Sequence, residues 1–500
     1  MPTVSELMAG NISNAMTNVK TWGGVVYNVK EYGAKGDGVT DDTLAIRKTI
    51  ANMPKGGFLF FPQGEYLVSQ IDSNDYIFKI DRPIKIMGTG LHSVIRVKAG
   101  TPATCNLFYI SPDMNYGSEF YGVRDILIWP QTPDSGGNVF YIDVSGNGQT
   151  ISNFLMSDTY IQQHGGKAVK VVNAENKPDG FFHSVFERCK IYGGTEFIRS
   201  GDNISFRNCV FRGKNRAIEV KSVSIPAQAN YPNHFIIDAC NFDNEGGVLL
   251  VHFAKNLVIK DCNMEQTSLL NGAVIDVLGD DTQVVNFVME RCHLTAFSQA
   301  GSSCDNIRLG NVYGALIDKC TMSNEVGGNN IVIEADARKV RIGEIQFNTG
   351  NQIVNKGSFS NVEYFYDKPV TKVKATGVSV IDSAQNFVQF TTEDFDRYGM
   401  FDPALPHRLS ATIPGKYLFV ADVEFSPNAD GTRAAYIVKN TSTTLANVTV
   451  NAYSLPGAPT RLQVTAVADM QVGEYVQLWL TQASGVTLTA NVSFSMIKVN

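Results

Sequence analysis

Apolar and polar positions follow one short pattern that recurs six times between about His183 and Met322. Each copy has a cysteine, an apolar residue three positions before it and another two positions after it. The copies read SVFERCKI, ISFRNCVF, FIIDACNF, LVIKDCNM, FVMERCHL and ALIDKCTM, around Cys189, Cys209, Cys240, Cys262, Cys292 and Cys320. The residues after each cysteine alternate as in a strand with one buried face. Because the pattern returns every 20 to 31 residues, it predicts a β-solenoid whose rungs stack.

Less regular copies extend the pattern in both directions. VRDILIWP and FLMSDTYIQQ place Ile126 and Thr159 in the cysteine position, and VRIGEIQF places Ile345 there. We therefore expect the solenoid to span residues 25–360, with a lead-in at 1–24 and a linker at 361–371. The six cysteines of the repeats share one inward position, where their stacked side chains form a ladder, and no CxxC pair occurs. This pattern favours small, reduced, buried side chains over disulfides or metal ligands. No metal site and no cofactor are expected.

The start of the solenoid has the features of a helical cap. The turn Gly36-Asp37-Gly38 precedes Thr40, which is expected to cap a helix with Asp41 and Asp42 in its first turn. Pro54 is expected to end this helix. A helix in this place would cover the open apolar end of the stack, as solenoids require.

Residues 372–500 have a different pattern. Cysteine is absent, and short alternating runs are separated by Pro, Gly and Asn at close spacing. The runs IPGKYLFVADVEF, RAAYIVKN, RLQVTAVADM, GEYVQLWLTQ and VSFSMIKV predict the antiparallel strands of a β-sandwich. The sequence therefore predicts an all-β chain: a parallel β-helix with a capping helix, followed by a sandwich.

Two stretches resemble known families. The run YGAKGDGVTDDTLAIRKTI, followed by GGFLFFPQGEYLVS, resembles the opening of the pectate-lyase-like superfamily found in bacteriophage tailspikes and tail-appendage depolymerases. That resemblance implies a right-handed parallel β-helix, a host surface polysaccharide as partner, and a place in the virion tail among other tail proteins. IPGKYLF, GEYVQL and FSMI resemble the C1q/TNF-like jelly roll, which implies a homotrimer and a C-terminal domain for trimerisation or glycan binding. Asp41 and Asp42 are interpreted as structural.

Charge and hydropathy exclude several other partners. The net charge is −6 and the pI is about 5.7, which argues against a nucleic acid or an anionic membrane surface. The first 20 residues contain no continuous apolar core, so no signal peptide is expected. No run approaches the roughly 18 apolar residues that a membrane-spanning helix needs. Together with the absence of a signal peptide, the tailspike resemblance implies a protein that is made in the host cytoplasm and acts outside the cell.

The cysteine pattern also predicts a site. If the cysteines point inward, then the first and third positions after each cysteine, and the position before it, point outward. Asp243 and Glu265 would then lie one above the other, about 5 Å apart, a separation that suits a retaining glycosidase. Like charges so close favour one protonated carboxyl, the acid that glycoside cleavage needs. We therefore expect Asp243 and Glu265 to be catalytic, and the following residues to bind substrate: Asn241, Glu245, Asp261, Asn263, Arg291, His293 and Arg212.

Three functions remain open at this point. The first is an endo-acting glycoside hydrolase: a tailspike that binds and depolymerises a host surface polysaccharide. The second is a lyase on an acidic glycan, with Arg212, Arg291, His293 and Lys319 as candidate bases and cations. The third is a receptor-binding spike without turnover, whose stacked carboxylates are ordinary solvated surface. Carboxylates outnumber bases at the centre of the face, which favours hydrolysis. A residue such as Glu219 or Glu245 could also complete the site from a neighbouring protomer.

Overall fold

The computed structural model describes residues 25–113, 120–174, 180–221, 234–266, 272–279, 283–297, 304–325, 327–349, 351–356, 362–364, 369–452 and 457–499. The expected lead-in at 1–24 lies outside them, as do residues 361 and 365–368 of the expected linker. The chain divides into two compact units, Met1–Gly328 with Ile345–Gly350 and Asn329–Glu344 with Asn351–Asn500.

Three parallel sheets build the first unit, and each turn of the chain after the first adds one strand to each sheet. Sheet 1 consists, in order, of Val26–Asn28, Phe58–Phe60, Lys85–Met87, Gly122–Arg124, Leu155–Ser157, Phe181–Glu187, Asp202–Arg207, Phe235–Asp238, Lys255–Lys260, Val284–Glu290 and Val312–Asp318, with Ile151–Ser152 also paired to Phe181–Glu187. Sheet 2 consists of Asp37–Asp41, Gly64–Val68, Ser93–Val97, Leu127–Pro130, Tyr160–Ile161, Lys190–Tyr192, Val210–Gly213, Asn241–Asn244, Asn263–Gln266, His293–Ala296, Cys320–Asn324 and Ile345–Thr349. Sheet 3 consists of Tyr76–Ile80, Asn106–Ile110, Phe140–Asp143, Val169–Val172, Thr195–Ile198, Ile218–Lys221, Leu249–Val251, Gly272–Leu278 and Cys304–Gly310.

The inward-facing side chains of successive rungs stack on one another and hold the rungs together. All six ladder cysteines are 1–3% exposed, and all eight cysteines are unpaired. Aromatic side chains stack in the same way, with ring centroids 4.7 Å apart for Phe186 and Phe206 and 4.9 Å for Phe211 and Phe242. Each such ring buries a large apolar area that a single rung could not cover alone. The predicted solenoid and the burial of the cysteines are confirmed.

A sharp corner joins sheet 1 to sheet 2 in each of the six repeats. The residue before the cysteine has a left-handed backbone, with φ of 51–53° at Arg188, Asn208, Ala239, Asp261, Arg291 and Lys319. The repeated sequence motif around each cysteine therefore consists of two strands that meet at a corner. The position before the cysteine points outward as expected, since all six residues are exposed, but it lies at the corner between the sheets and not on a strand of sheet 2.

The N-terminal cap is present, but it begins later than expected. The helix spans Thr43–Asn52, after a short 3-10 helix at Val29–Tyr32, and it buries Ile46 and Ile50. Thr40 does not cap it, because Asp37–Asp41 forms a strand and the Thr40 hydroxyl donates to Asp37 at 2.7 Å. The structural role of Asp42 is clear, because its carboxylate accepts hydrogen bonds from the backbone N–H groups of Lys35 and Gly36 at 2.6 and 2.9 Å.

The second unit contains an antiparallel sandwich. Its first sheet has the strand order Thr392–Arg397, Val370–Val380, Leu488–Lys498, Gly415–Phe425 and Thr460–Met470. Its second sheet has the order Asn386–Phe387, Tyr475–Gln482, Thr432–Lys439 and Thr443–Asn451, with Leu409–Ser410 also paired to Tyr475–Gln482. Both sheets contribute to one core that includes Phe419, Phe494 and Leu478. Two parallel pairs complete the unit: Asn329–Ile333 with Asn351–Asn355, and Arg338–Ile342 with Val362–Tyr364. The predicted antiparallel C-terminal sheets are confirmed.

No helix within the described ranges is long and apolar enough to cross a membrane.

Candidate functional site

The two expected catalytic carboxylates are register partners in sheet 2. Asp243 on Asn241–Asn244 lies opposite Glu265 on Asn263–Gln266, and Asn241 lies opposite Asn263. Phe242 and Met264 between them are fully buried, so the alternating residues on either side point outward. Neighbouring parallel strands are about 4.8 Å apart, which places the two carboxylates side by side on an accessible face.

The two carboxylates have different partners. Arg212, on the preceding strand, places its Nε 3.1 Å from Asp243 Oδ2. Glu265 has a neutral partner, because Asn263 Nδ2 donates to Glu265 Oε1 at 3.2 Å. His293 lies opposite Asn263 on the next strand. The face therefore combines two acids, one guanidinium, two amides and an imidazole on four consecutive strands.

Three of the expected substrate-binding residues lie outside this face. Asp261 and Arg291 lie at the corners between sheets 1 and 2, where they pair with each other through Nε–Oδ1 and Nη2–Oδ2 contacts of 2.7 and 2.9 Å. Hydrogen bonds from Arg291 hold the pKa of Asp261 below its ordinary value. Glu245 is exposed in the turn after its strand, where its backbone N–H donates to Gly213 at 2.9 Å. The structure thus groups Asn241, Asn263, His293 and Arg212 with the acid pair and separates the other three from it.

Sheet 3 holds a second carboxylate pair that the cysteine pattern did not reveal. Glu196 and Glu219 are register partners on neighbouring strands, and they are only 6% and 7% exposed. Lys221 contacts both of them, Lys170 lies 2.9 Å from Glu196, and Lys167 contacts Glu219. Burial raises the pKa of Glu196, but hydrogen bonds from Lys221 and Lys170 outweigh it, so the pKa lies below its ordinary value.

The sheet 3 pair is less suited to catalysis than the sheet 2 pair. Each of its carboxylates is covered by two lysine ammonium groups, which is how buried charges are stabilised in a fold. The expectation that Glu219 could complete a site in a neighbouring protomer has no support in these intrachain contacts. The segments TEFI and IEVK could have indicated this pair, since each places a glutamate beside buried apolar residues.

Within the described residues, no three His, Cys, Asp or Glu side chains converge as metal ligands would.

Most of the solenoid matches a known protein family. Residues 26–274 match the family model described as "Rhamnogalacturonase A/epimerase, pectate lyase-like". This part of the chain belongs to the pectate lyase-like family. The family consists of polysaccharide-processing enzymes, and the relatives named below include a lyase and an epimerase.

Two curated relatives come from Azotobacter vinelandii. Alginate lyase 7 is 45% identical over 117 residues, which cover 23% of this chain and 14% of the relative. Mannuronan C5-epimerase AlgE6 is 35% identical over 106 residues, which cover 20% of this chain and 12% of the relative. The chain thus spans about one seventh and one eighth of the lengths of these relatives.

A solved phage structure is also similar to this chain. The tailspike protein gp49 of Acinetobacter baumannii bacteriophage Fri1, a capsular polysaccharide depolymerase, aligns with a TM-score of 0.39 and 11% identity. The alignment covers 95% of this chain and 86% of gp49.

Proposed function

We propose that this protein is a tailspike-type depolymerase that cleaves a host surface polysaccharide by endo-glycosidic hydrolysis, with Asp243 and Glu265 as its catalytic carboxylates. The observation that carries the proposal is their pairing on adjacent strands of an accessible face. Membership of a polysaccharide-processing family supports the substrate class.

The different neighbours of Asp243 and Glu265 suggest different catalytic roles for the two carboxylates. Asp243, beside the Arg212 guanidinium, acts as the ionised nucleophile on the anomeric carbon. Glu265, beside an amide, donates its proton to the leaving glycosidic oxygen. The resulting glycosyl ester on Asp243 is then hydrolysed by water, from which Glu265 takes a proton. Carboxylates on neighbouring strands have the close spacing that this double displacement needs.

A lyase reaction is the second candidate, and the named relatives favour it. One of them is an alginate lyase, and others are mannuronan epimerases. On this face, Arg212 would neutralise a uronate carboxylate and His293 would remove the proton next to it, while the glycosidic oxygen leaves and an unsaturated sugar forms. The two reactions differ in their products, so chemistry distinguishes them directly.

We also propose that the chain acts as a homotrimer in the virion tail, with the domain at 372–500 as its trimerisation element. A row of apolar residues on the outer face of the first sandwich sheet supports this proposal. Leu418 lies in register with Ile497 on one side and with Val467 on the other, and Val467 is 57% exposed. Leu418 and Ile497 beside it are half-buried, and an apolar row on the outer face of a sheet is typical of an interface between subunits.

The test is product analysis on a panel of bacterial surface polysaccharides that includes alginate. Wild type is compared with Asp243→Asn, Glu265→Gln and the control Asp238→Asn, whose half-exposed carboxylate lies in the same repeat on sheet 1. We expect saturated oligosaccharides, with a roughly 10²–10⁴-fold lower rate in both site variants and an unchanged rate in the control.

Each other result points to a different function. Products with unsaturated-uronate absorbance would establish the lyase reaction. Tight binding with intact polymer would leave a receptor-binding spike. Full activity in both site variants would remove Asp243 and Glu265 from the mechanism, and the sheet 3 pair would be the next to test.

A further inference from the structure

One outward row of sheet 1 is apolar over seven consecutive strands. Its members lie four positions before the cysteine of each repeat, or before Thr159 in the first case, and each precedes a fully buried residue that points inward. They are in register from strand to strand, with Ser205 in the third place. The other six members, here named the sheet 1 stripe, are Leu155, Val185, Ile236, Val258, Val288 and Leu316.

The sheet 1 stripe is accessible and differs from the outward rows of the other two sheets. Leu155 is 42% exposed, and the other five members are half-buried. On sheet 2, the corresponding rows contain Asp243 and Glu265. On sheet 3, the row in register is Lys170, Glu196, Glu219, Leu250, Asp276 and Arg308. Because all three sheets consist of parallel strands, strand propensity alone does not explain why the row on sheet 1 lacks charge.

The two flanks of the stripe differ in their chemistry. The row two positions towards the corner is charged, and it consists of Glu187, Arg207, Asp238, Lys260, Glu290 and Asp318. The row two positions to the other side consists of His183, Asn203, His234, Asn256, Asn286 and Gly314. In this second row, Asn286 Nδ2 donates to Asn256 Oδ1 at 2.9 Å. One flank therefore presents charges, and the other presents amide and imidazole groups.

We propose that the sheet 1 stripe is the contact surface for the solenoid of a second copy of this chain, with the solenoids parallel. Successive members of the stripe are about 4.8 Å apart, and a second copy has the same spacing along its whole length. Rotation about an axis parallel to the solenoids places the charged flank of one copy against the amide flank of the next. Two rows of like charge therefore do not meet.

The size of the face suits such a contact. The seven strands from Leu155–Ser157 to Val312–Asp318 give six spacings, about 29 Å, and strands of seven residues are about 23 Å long. The flat area is about 670 Å², and side-chain relief increases it towards the roughly 800 Å² per partner of a stable interface. The number of copies rests on the proposed homotrimer, whereas the contact itself rests on sheet 1 alone.

The test is cross-linking of the full chain by a short bismaleimide, read on denaturing gels. Val258→Cys places a thiol at the same height in each copy, while the eight native cysteines are buried and should not react. We expect covalent dimers that contain up to about two thirds of the chains, since one reagent joins two of the three thiols around an axis. The matched control is Val210→Cys, at a half-buried valine on the outward face of sheet 2, which should give no more dimer than wild type.

A second pair of variants tests the energetic contribution of the stripe. Val258→Lys would bring ammonium groups together in the contact, so its assembly should dissociate, in a light-scattering dilution series, at a concentration at least roughly tenfold higher than that of wild type. Val210→Lys should dissociate at the wild-type concentration. Circular dichroism of both variants should match wild type, because both positions face outward.

Two results would overturn the proposal: no dimer above the wild-type level from Val258→Cys, or equal dissociation concentrations for Val258→Lys and Val210→Lys. A trimer mass without Val258 cross-links would mean that the proposed homotrimer stands and the stripe is not its contact. Cross-links in an assembly with the mass of two chains would support the stripe and overturn the homotrimer. A monomer at every concentration would overturn both.

Discussion

The buried imidazole of His164 should make the solenoid sensitive to mild acid. His164 follows the strand Tyr160–Ile161 and is only 2% exposed. Its Nδ1 donates to the Gln162 carbonyl oxygen at 2.7 Å, and its Nε2 is buried without a hydrogen-bond partner. Burial lowers the pKa of His164 to about 4. The folded protein therefore holds a neutral ring that the unfolded chain protonates more readily.

The sign and the size of the effect follow from linkage. Because the folded pKa lies below the unfolded value of about 6.5, the unfolded state binds more protons between these two values, and the free energy of unfolding falls as the pH falls through this window. A gap of about 2.5 pH units corresponds to about 3 kcal/mol between pH 7 and pH 4. This is a large share of a typical domain stability of roughly 5–15 kcal/mol.

The assay is urea unfolding monitored by circular dichroism at pH values between 7 and 4. Wild type is compared with His164→Gln, and the control is His92→Gln at an exposed position. The wild type should lose about 3 kcal/mol more than the His164 variant over this range, while the His92 variant should follow the wild type. Parallel pH profiles for all three proteins would refute the reasoning, because they would mean that the His164 ring is not held neutral by the fold.

Two further predictions concern the cap and the assembly. Asp42→Ala should lower the free energy of unfolding by about 1–3 kcal/mol, because two backbone N–H groups lose their acceptor. The control Thr40→Ala should lower it by less than about 0.5 kcal/mol. Equal losses for the two variants in a denaturation series would contradict the cap geometry. Light scattering should give three times 54.7 kDa, about 164 kDa, for the wild type. Val467→Lys should lower that mass. The control Val486→Lys, at a 53% exposed position in a turn, should leave the mass unchanged. If the Val467→Lys variant is still a trimer, the apolar row is not part of the interface.

Much of the fold follows from the sequence because a solenoid repeats one local rule. Each rung places a small side chain at the same inward position, so Cys240 and Cys262 predict both the stack and the direction of the residues beside them. The same rule places Asp243 over Glu265, because a side-chain period of two leaves no other face for them. The pair of neighbouring carboxylates was therefore predictable before any tertiary structure was known.

Only the tertiary structure decided what surrounds that pair. A left-handed corner at Asp261 and Arg291 moves these side chains off the strand face, and alternation alone does not reveal a corner. Lys167 reaches Glu219 across 52 residues of sequence, since long side chains connect rungs whose separation depends on loop length. Periodicity determines whether a residue faces in or out. The register between rungs and the reach of side chains determine which residues meet, and both depend on the folded chain as a whole.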